Sequence, residues 1–362
     1  MFVLKNSEKY TVFKFLDNKK RELIQKISNR KYSFIKRELN HISKLKKSSN
    51  FYKKKFPKIL KYGILKKGVF KGKGYYNQIY INGETFSKLI KEKKISNKKI
   101  NTIFNFILKT TANELKNNKN IIKRNSFILY KKLFNIEYNK IKKKNLFNEI
   151  LKYKKIIINN AQFNNLDYYL KFILSSKKII KFLKKNHIFS SLSHWNFHGE
   201  NIIIINKKKI DFMVIDPDSS WKYNDSMFSL ARLIYTYPHD TAEYDKYFIT
   251  QIKNKNLKNK LKFNLNFNWD KFSQSRYENI FDKYFFNINR SNFNNILTPK
   301  EHIRFCMSLA LCLLRGINAN YEAKFHYLKK NSNKFLNKSF FLFLFCLVYL
   351  KNFIDKFNNE QF

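Results

Sequence analysis

Residues 193–218 of the chain read SHWNFHGENIIIINKKKIDFMVIDPD. They contain two short runs of apolar, mainly β-branched residues, at 201–205 and 210–215, with a polar turn between them. This pattern predicts a β-hairpin. Asn201 opens the first strand and Asp216 follows the second, so a hairpin brings an amide oxygen and a carboxylate to the same end. Oxygen ligands of these kinds suit Mg²⁺, which binds few protein groups and leaves positions for phosphates.

The segment 200–245 is acidic within a strongly basic chain. It holds eight of the 25 Asp and Glu residues and five of the 74 Lys and Arg residues, a net charge of −3 in a chain that carries +49. A site for a hard cation or for a cationic substrate would retain carboxylates here. A solvated acidic patch is the alternative interpretation, and charge alone does not separate the two.

The charge of the whole chain also has two interpretations. A net charge of +49 in 362 residues is typical of proteins that bind nucleic acid or an anionic membrane surface. The basic residues, however, are 65 Lys and nine Arg, in a chain poor in Gly and Pro. Polyanion-binding proteins usually also use Arg, for its bidentate geometry. A compositional bias is therefore favoured over a dedicated polyanion-binding role, and no specific nucleic-acid partner is predicted.

The residues of the hairpin segment resemble the signature of the aminoglycoside phosphotransferase and choline kinase family, which has the protein-kinase-like fold. That signature is H-x-D-x-x-x-x-N, a strand pair, and then I-D-x-[DE]. In this resemblance His194 matches the histidine that braces the catalytic loop, and Asn201 and Asp216 match the metal-binding pair. Asp218 matches the acidic residue that often follows. The resemblance implies ATP as co-substrate and Mg²⁺ as cofactor.

The same resemblance extends to the helix that follows. Asn224 and Asp225 precede the apolar run 227–233, as in the family pattern G-D-P-x-x-D-L-A. Asp225 is retained, whereas Ser229 stands where an Asp is usual.

One departure from the signature concerns the chemistry directly. Asn196 occupies the position of the catalytic Asp, which in the family accepts the proton of the substrate hydroxyl or orients that hydroxyl. An amide does not accept a proton at neutral pH, but its oxygen still accepts a hydrogen bond. Glu200 and Asp218 are alternative carboxylates. Phosphoryl transfer depends chiefly on positioning and charge neutralisation, so this change predicts a slower enzyme or a pseudokinase.

The N-terminal part carries weaker signals for a nucleotide site. Lys14 lies in the middle of a predicted strand, where kinases place the Lys that contacts the α- and β-phosphates. Glu38, on the following predicted helix, is its expected ion-pair partner, and Glu22 is the rival. Residues 75–83 resemble the family's inter-lobe linker, so the backbone groups of Ile79 and Ile81 are expected at the adenine edge. No Gly precedes Gly63, so a glycine-rich phosphate loop is missing.

The apolar patterns predict strands first and helices afterwards. Strands are expected at 2–4, 11–16, 57–62 and 75–81, with a helix at 30–47. The segment 85–184 reads as helical, and after the hairpin the chain is expected to return to helices, including 226–237, 299–315 and 339–353. This order predicts an α+β, two-lobed, kinase-like fold. A small, reduced β-rich N-lobe would span 1–82, and a large helical C-lobe 83–362 would carry the catalytic loop and hairpin.

Cysteine and histidine usage argues against several other classes of protein. Cys306, Cys312 and Cys346 show no CxxC spacing, so neither a disulfide framework nor a zinc ribbon is indicated, and a cytoplasmic location is expected. His194 and His198 lie four apart, but on a predicted loop, so structural histidines are favoured over zinc ligands. The longest apolar run has 11 residues, 340–350, too few to cross a bilayer.

Three functions remain, in order of preference. The first is a phosphotransferase that moves the γ-phosphate of ATP to a hydroxyl of a sugar, an aminoglycoside or an amino alcohol, with nucleotide and acceptor as its partners. The second is a catalytically impaired kinase-like module that binds nucleotide or a partner. The third is a basic binder of nucleic acid or of a membrane surface.

Overall fold

The computed structural model describes most of the chain, with gaps. The described residues are 2–6, 9–92, 96–117, 121–123, 126–158, 160–184, 188–190, 194–218, 225, 227–235, 247–252, 260–267, 299–326 and 332–359. They form two compact units, one of residues 1–121 and 190–229 and the other of residues 122–189 and 230–362. These units do not follow the predicted boundary near residue 82, and the lobes 1–82 and 83–362 stay a prediction.

The first unit is built on a five-stranded antiparallel sheet, with strands in the order Phe2–Asn6 (β1), Tyr10–Leu16 (β2), Glu22–Ser28 (β3), Gly74–Ile79 (β5) and Ile59–Ile64 (β4). The helix Tyr32–Ser48 (α1) follows β3 and buries Ile35, Ile42 and Leu45 along one face. The elements up to the end of this N-terminal section are β1 Phe2–Asn6, β2 Tyr10–Leu16, β3 Glu22–Ser28, α1 Tyr32–Ser48, α2 Asn50–Lys55, β4 Ile59–Ile64, β5 Gly74–Ile79, β6 Glu84–Thr85, α3 Phe86–Lys91 and α4 Asn97–Asn117.

The predicted hairpin is also part of the first unit. A single 3-10 turn at Gly199–Asn201 leads into β11, Ile202–Asn206, which pairs antiparallel with β12, Asp211–Val214. The other edge of β11 pairs with the short strand β6. This three-stranded sheet places residue 201 directly before one strand and residue 216 shortly after its neighbour. The hairpin is therefore confirmed.

The second unit is mainly helical. Its two long helices, α10 Pro299–His326 and α11 Ser332–Asn359, contribute many of its fully buried apolar residues. The other elements from residue 121 onward are β7 Ile121–Lys123, α5 Ser126–Lys142, α6 Asn145–Leu151, β8 Lys155–Ile158, β9 Ala161–Asn164, α7 Leu166–Ser175, α8 Lys177–Lys184, β10 Ile188–Ser190, α9 Met227–Tyr235, β13 Tyr247–Ile252 and β14 Lys260–Phe267. The α+β class is confirmed.

The structure corrects three element predictions. The N-terminal sheet has five strands and is not reduced, since it contains β3, which the sequence patterns did not predict. The segment 85–184 is not wholly helical, since it contains β8 and β9. The chain after the hairpin is not wholly helical either, since β13 and β14 join β8 and β9 in one sheet, with β14 parallel to β8. The sequence of β14, KLKFNLNF, alternates apolar and polar residues, which is the period of a strand.

Two further observations concern cysteines and membranes. Cys306, Cys312 and Cys346 are buried and form no disulfide. Within the described ranges, none of the helices combines the length and the apolar character that crossing a bilayer requires.

Candidate nucleotide site

A buried lysine lies at the centre of the candidate site. Lys26, on β3, donates from Nζ to Glu38 Oε1 and Oε2 of α1, at 2.8 and 3.0 Å. The same ammonium contacts Asp216 Oδ1, at the end of the hairpin. Tyr76 donates to Glu38 Oε1 at 2.8 Å, and the ring of Tyr10 lies 4.0 Å from Nζ. The ring of Tyr76 lies 5.9 Å from the same Nζ, so the lysine is held by two carboxylates and lies beside two aromatic rings.

These contacts set the charge states of the cluster. Burial lowers the pKa of Lys26, but the carboxylates of Asp216 and Glu38 outweigh it, so this pKa lies well above its ordinary value. Burial would raise the pKa of Asp216, but the Lys26 ammonium outweighs it and the pKa lies below its ordinary value. Burial, together with Glu38, raises the pKa of Tyr10 to about 12. Near neutral pH, Lys26 and Asp216 are therefore both charged.

The loop before the hairpin is tied to Asp216 through backbone oxygens. Asn196 Nδ2 and Asn201 Nδ2 both donate to the carbonyl oxygen of Asp216, each at 3.3 Å. Asn201 Nδ2 also donates to the carbonyl of Asn196, at 3.0 Å. The structure therefore brings together the three residues that the sequence proposed for the reaction and the metal.

His194 links this loop to the end of the hairpin through a buried hydrogen bond. Its Nε2 lies 2.8 Å from the carbonyl oxygen of Ile215, so Nε2 carries the proton and donates it. Its Nδ1 is buried and has no hydrogen-bond partner among the described residues, as expected for a neutral imidazole. Burial lowers the pKa of His194 to about 3. The ring also stacks on Phe56, with 5.7 Å between centroids. These contacts hold the imidazole in place and are consistent with a structural role.

Two residues of the site have backbone angles that favour glycine. Trp195 has φ +51° and Asp216 has φ +57°. A left-handed conformation is uncommon for a residue with a side chain, and for a bulky one it costs free energy that the surroundings must supply. Trp195 is held by the hydrogen bond from its N–H to Ser229 Oγ, 3.0 Å, and by stacking on His41, with 5.0 Å between centroids. Strained residues of this kind cluster at functional sites.

The residues present fit a divalent cation. Both side-chain hydrogen bonds of Asn201 use Nδ2, so its Oδ1 has no donor among the residues described. The Oδ2 atom of Asp216 likewise has no donor within that part of the chain, because Lys26 contacts Oδ1. One amide oxygen and one carboxylate oxygen are the ligands that Mg²⁺ accepts beside phosphates.

The predicted contact between Lys14 and Glu38 is wrong. Lys14 pairs instead with Glu22, the rival partner, with Nζ to Oε1 at 2.6 Å, and its ammonium lies 3.8 Å from the ring centre of Tyr80. Glu38 forms its ion pair with Lys26. The two lysines lie on the same face of the sheet, since Lys14 is opposite Ile24 in the register and side chains at i and i+2 share a face. Which lysine meets Glu38 depends on where α1 packs.

Sequence reasoning missed Lys26 because it missed β3. The segment 22–28, ELIQKIS, is short and contains three apolar residues, Leu23, Ile24 and Ile27, all of them buried. A usable signal was present on α1: Glu38 lies on the same helix face as the buried Ile35, Ile42 and Leu45. A carboxylate on an apolar stripe requires a buried cation, and the strand before α1 is the nearest source.

The linker residues have different environments. The N–H of Ile79 donates to the carbonyl of Lys58 at 3.1 Å, so it is already used within the sheet. Ile81 follows β5 and has no backbone hydrogen bond within the described ranges. Its role at an adenine edge stays a prediction.

The remaining predicted residues fall close to the loop or to the next helix. The backbone N–H of Asp218 donates to the carbonyl of His194 at 3.1 Å, which joins the chain after Asp216 to the start of the loop. Asp225 is buried, and its Oδ1 accepts from the N–H of Met227 at 3.0 Å, at the start of α9. Glu200 accepts from Thr85 Oγ1 at 3.3 Å. Asn224 lies outside the described residues.

Zinc receives no support from the described side chains. Nε2 of His194 is used by Ile215, and no group of three or more His, Cys, Asp and Glu residues within the described ranges is arranged to hold a metal.

Comparisons with known proteins give distant structural likenesses. No protein-family model matches the chain, and no curated protein sequence matches it either. Among solved structures, an aminoglycoside phosphotransferase from Alicyclobacillus acidocaldarius subsp. acidocaldarius DSM 446 is similar, with 11% identity and a TM-score of 0.44, over 97% of this chain and 92% of that one. The pseudokinase drought responsive inactive kinase 1, bound to ENMD-2076, is similar over 94% of this chain and 90% of that one, with 10% identity and a TM-score of 0.27. An apo pseudokinase is similar over 67% of this chain and 63% of that one, with 10% identity and a TM-score of 0.26.

These TM-scores are below 0.5, so the assignment of the fold depends on the elements and contacts described above. This chain has an antiparallel sheet with one helix after β3, a Lys–Glu pair joining that strand to that helix, and an Asn and an Asp at one end of a hairpin. These elements match the general arrangement of protein kinases. The fold is kinase-like.

Proposed function

We propose that this protein binds Mg²⁺-ATP and transfers its γ-phosphate to a hydroxyl of a small molecule. The observation that carries the proposal is the position of Lys26 between Glu38 and Asp216, beside Asn201. A lysine fixed by a glutamate on the following helix, next to an Asn–Asp cation site, is the arrangement that phosphoryl transfer requires. A sugar, an aminoglycoside or an amino alcohol is the proposed class of acceptor, and the cytoplasm the proposed location.

Each residue has a distinct proposed task. Oδ1 of Asn201 and Oδ2 of Asp216 would hold Mg²⁺, which neutralises phosphate charge when it is bound. Lys26 would contact the phosphates, and to do so its ammonium would exchange part of its contact with Asp216. In the transfer, the bond between the γ-phosphorus and the bridging oxygen of ADP breaks, and a bond to the acceptor oxygen forms.

Asn196 would position the acceptor rather than deprotonate it. Its Nδ2 is used by the carbonyl of Asp216, which leaves Oδ1 to accept the hydrogen bond of an acceptor hydroxyl. The hydroxyl proton would then pass to solvent or to the transferred phosphate. A slow enzyme is expected, because general-base assistance at this position is lost.

A second candidate function is nucleotide binding without transfer. Asn196 in place of a carboxylate favours it, as does the contact that occupies one oxygen of Asp216 with Lys26. One measurement distinguishes the two candidates. It is the release of ADP from Mg²⁺-ATP in the presence of a panel of amino alcohols and aminoglycosides. ADP release that increases when an acceptor is added supports transfer, and no release with intact nucleotide binding supports the second candidate.

Nucleotide binding itself is tested by thermal unfolding with and without Mg²⁺-ATP. A ligand that binds only the folded protein raises the unfolding temperature, and for saturating nucleotide we expect a rise of about 2 °C or more. The variant Lys14→Gln should keep this rise, and a Lys26 variant should lose it. No rise for the natural protein would refute both candidates.

The Lys26 variant needs a design that keeps the protein folded. Removing Lys26 alone leaves Glu38 buried without its cation, at a cost of about 3–5 kcal/mol. The double variant Lys26→Met with Glu38→Gln removes the buried ion pair and leaves Asp216, whose side chain is 38% exposed, to be solvated by water, so it should unfold near the natural temperature. Loss of the nucleotide-induced rise in this variant, together with its retention in Lys14→Gln, assigns the phosphate contact to Lys26.

A further inference from the structure

A groove lined by lysines runs between α1, α2 and β4. Its volume is about 780 Å³, within the range of small-molecule sites. Five lysines line it: Lys36, Lys46, Lys47, Lys53 and Lys58. No Asp or Glu is among the lining residues. The groove is therefore concave and carries charge of one sign.

The groove uses a different face of α1 from the nucleotide site. Residues 32, 36, 40, 43 and 47 are spaced three or four apart, so they form one stripe along the helix. Ile42 borders the groove as well, but Glu38, Ile35 and Leu45 are buried on a neighbouring face of the helix and are not among the lining residues. The groove is consequently separate from the Lys26 cluster.

The five lysines have no carboxylate partners among the described residues. Exposed lysines of the same unit such as Lys19, Lys67 and Lys71 also have no carboxylate partner among the described residues, so what distinguishes the five is that they line one concave groove. Among the described residues, Lys46 donates to the carbonyl of Pro57 at 2.9 Å, and burial lowers its pKa below the ordinary value. Gathering like charges in a concave site costs free energy that a bound anion would recover.

The remaining lining residues suit an organic ligand body. Tyr32 and Tyr62 supply aromatic rings, and Asn40, Ser43 and Asn50 supply neutral hydrogen-bonding groups. Lysine binds phosphate as a mobile point charge with three donors. We propose that this groove is a binding site for a small organic polyphosphate, with its phosphates on the lysines. The proposal does not depend on the proposed function.

The test compares two triple variants of equal charge change. Lys36→Gln, Lys47→Gln and Lys53→Gln remove three exposed lysines of the groove, whereas Lys19→Gln, Lys67→Gln and Lys71→Gln remove three exposed lysines elsewhere in the same unit. Inositol hexakisphosphate is the probe, titrated calorimetrically at physiological ionic strength into the full chain. We expect the groove variant to bind about 10-fold more weakly or worse, which corresponds to about 1.4 kcal/mol, and the control variant to stay within about 3-fold of the natural protein.

Three outcomes would overturn the proposal. Equal weakening in both triple variants would mean attraction to the general positive charge of the chain. If the natural protein does not bind inositol hexakisphosphate, the groove is not a polyphosphate site. Preference for a single-stranded RNA oligonucleotide, lost in the groove variant, would assign the groove to nucleic acid instead. Unfolding temperatures of all variants control for folding, and the Lys26→Met, Glu38→Gln variant should bind the probe normally, so failure here is distinguishable from failure of the nucleotide site.

Discussion

Lys14 and Lys26 show how a choice between two residues is made by packing rather than by local sequence. Both are lysines in strands, on one face of one sheet. Lys14 keeps a 27% exposed side chain and pairs with an exposed glutamate, whereas Lys26 is 8% exposed and pairs with the buried Glu38. A buried ammonium is tolerated only with such partners. The candidate for phosphate contact is therefore decided by the location of α1.

Asn196→Asp restores a carboxylate at the predicted base position. If the protein is a slow phosphotransferase, we expect ADP release to increase by about 10-fold to 1000-fold, because general-base assistance typically contributes rate factors of about 10² to 10⁴. The measurement is steady-state ADP release from Mg²⁺-ATP with the acceptor panel.

Asn201→Asp is the matched control for that variant, since it adds the same charge at the neighbouring amide without supplying a base at position 196. A rate increase in both variants would contradict the assignment of Asn196. No turnover in Asn196→Asp, with nucleotide binding retained, would favour the non-transferring candidate.

His194 makes the folding free energy depend on pH. Its pKa is about 3 in the folded protein and near 6.5 when the chain is unfolded. Between these values the unfolded chain binds a proton that the folded protein does not. Stability is therefore lost as pH falls from about 6.5 towards 3, with a slope of about 1.4 kcal/mol per pH unit from this residue.

His194→Gln isolates this contribution, because Gln keeps a donor for the carbonyl of Ile215 but does not titrate. Urea denaturation at pH 7.0 and pH 5.0 should show a smaller loss of stability in the variant than in the natural protein. Equal losses would show that other groups cause the acid sensitivity.

At the scale of elements, the junction between β6 and the hairpin is closely packed. A Cβ atom on Gly83 would lie 2.6 Å from the carbonyl oxygen of Ile204 and 2.7 Å from Cγ2 of Ile203. β11 is paired on both edges, with β6 and β12, so its backbone has little room to move. Gly83 therefore permits the close approach of the chain before β6 to the strand that follows Asn201.

Gly83→Ala should destabilise the protein by about 1–3 kcal/mol, the usual cost of overpacking. Gly63→Ala is the matched control, since the nearest atom to its added Cβ would be Cε1 of Tyr75 at 3.6 Å, an ordinary contact. Its effect should stay within about 1 kcal/mol. Equal midpoints of urea unfolding for the two variants would contradict the packing at Gly83.

At the scale of the whole molecule, the net charge of +49 opposes the compact state. Salt screens this repulsion, and the screening length falls from about 30 Å at 10 mM to about 8 Å at 150 mM. We expect the unfolding temperature at pH 7 to rise by about 2–5 °C over this range of NaCl.

The control for the salt experiment is the same pair of measurements at pH 10.0, near the isoelectric point of the chain. The net charge is small there, so the effect of salt should largely disappear. A salt dependence of equal size at both pH values would show that the stabilisation does not come from screening.

The sequence alone determined the parts whose physical cause is local. The hairpin could be predicted because β-branched runs and a polar turn specify it, and the meeting of Asn201 and Asp216 follows from the hairpin. The place of Asn196 beside them was implied by the family resemblance. Glu38 was expected in an ion pair from the kinase resemblance, and its position on the apolar stripe of α1 is a local signal that supports the same choice.

Only the tertiary structure decided the parts that depend on distant segments. Lys26 meets Asp216, 190 residues away, and β14 pairs with β8 across about 100 residues. The groove exists because α1, α2 and β4 leave a space between lysines that are scattered along the sequence. In a chain where Lys is so common, sequence cannot show which ammonium groups will be buried, because burial is set by the packing of several elements at once.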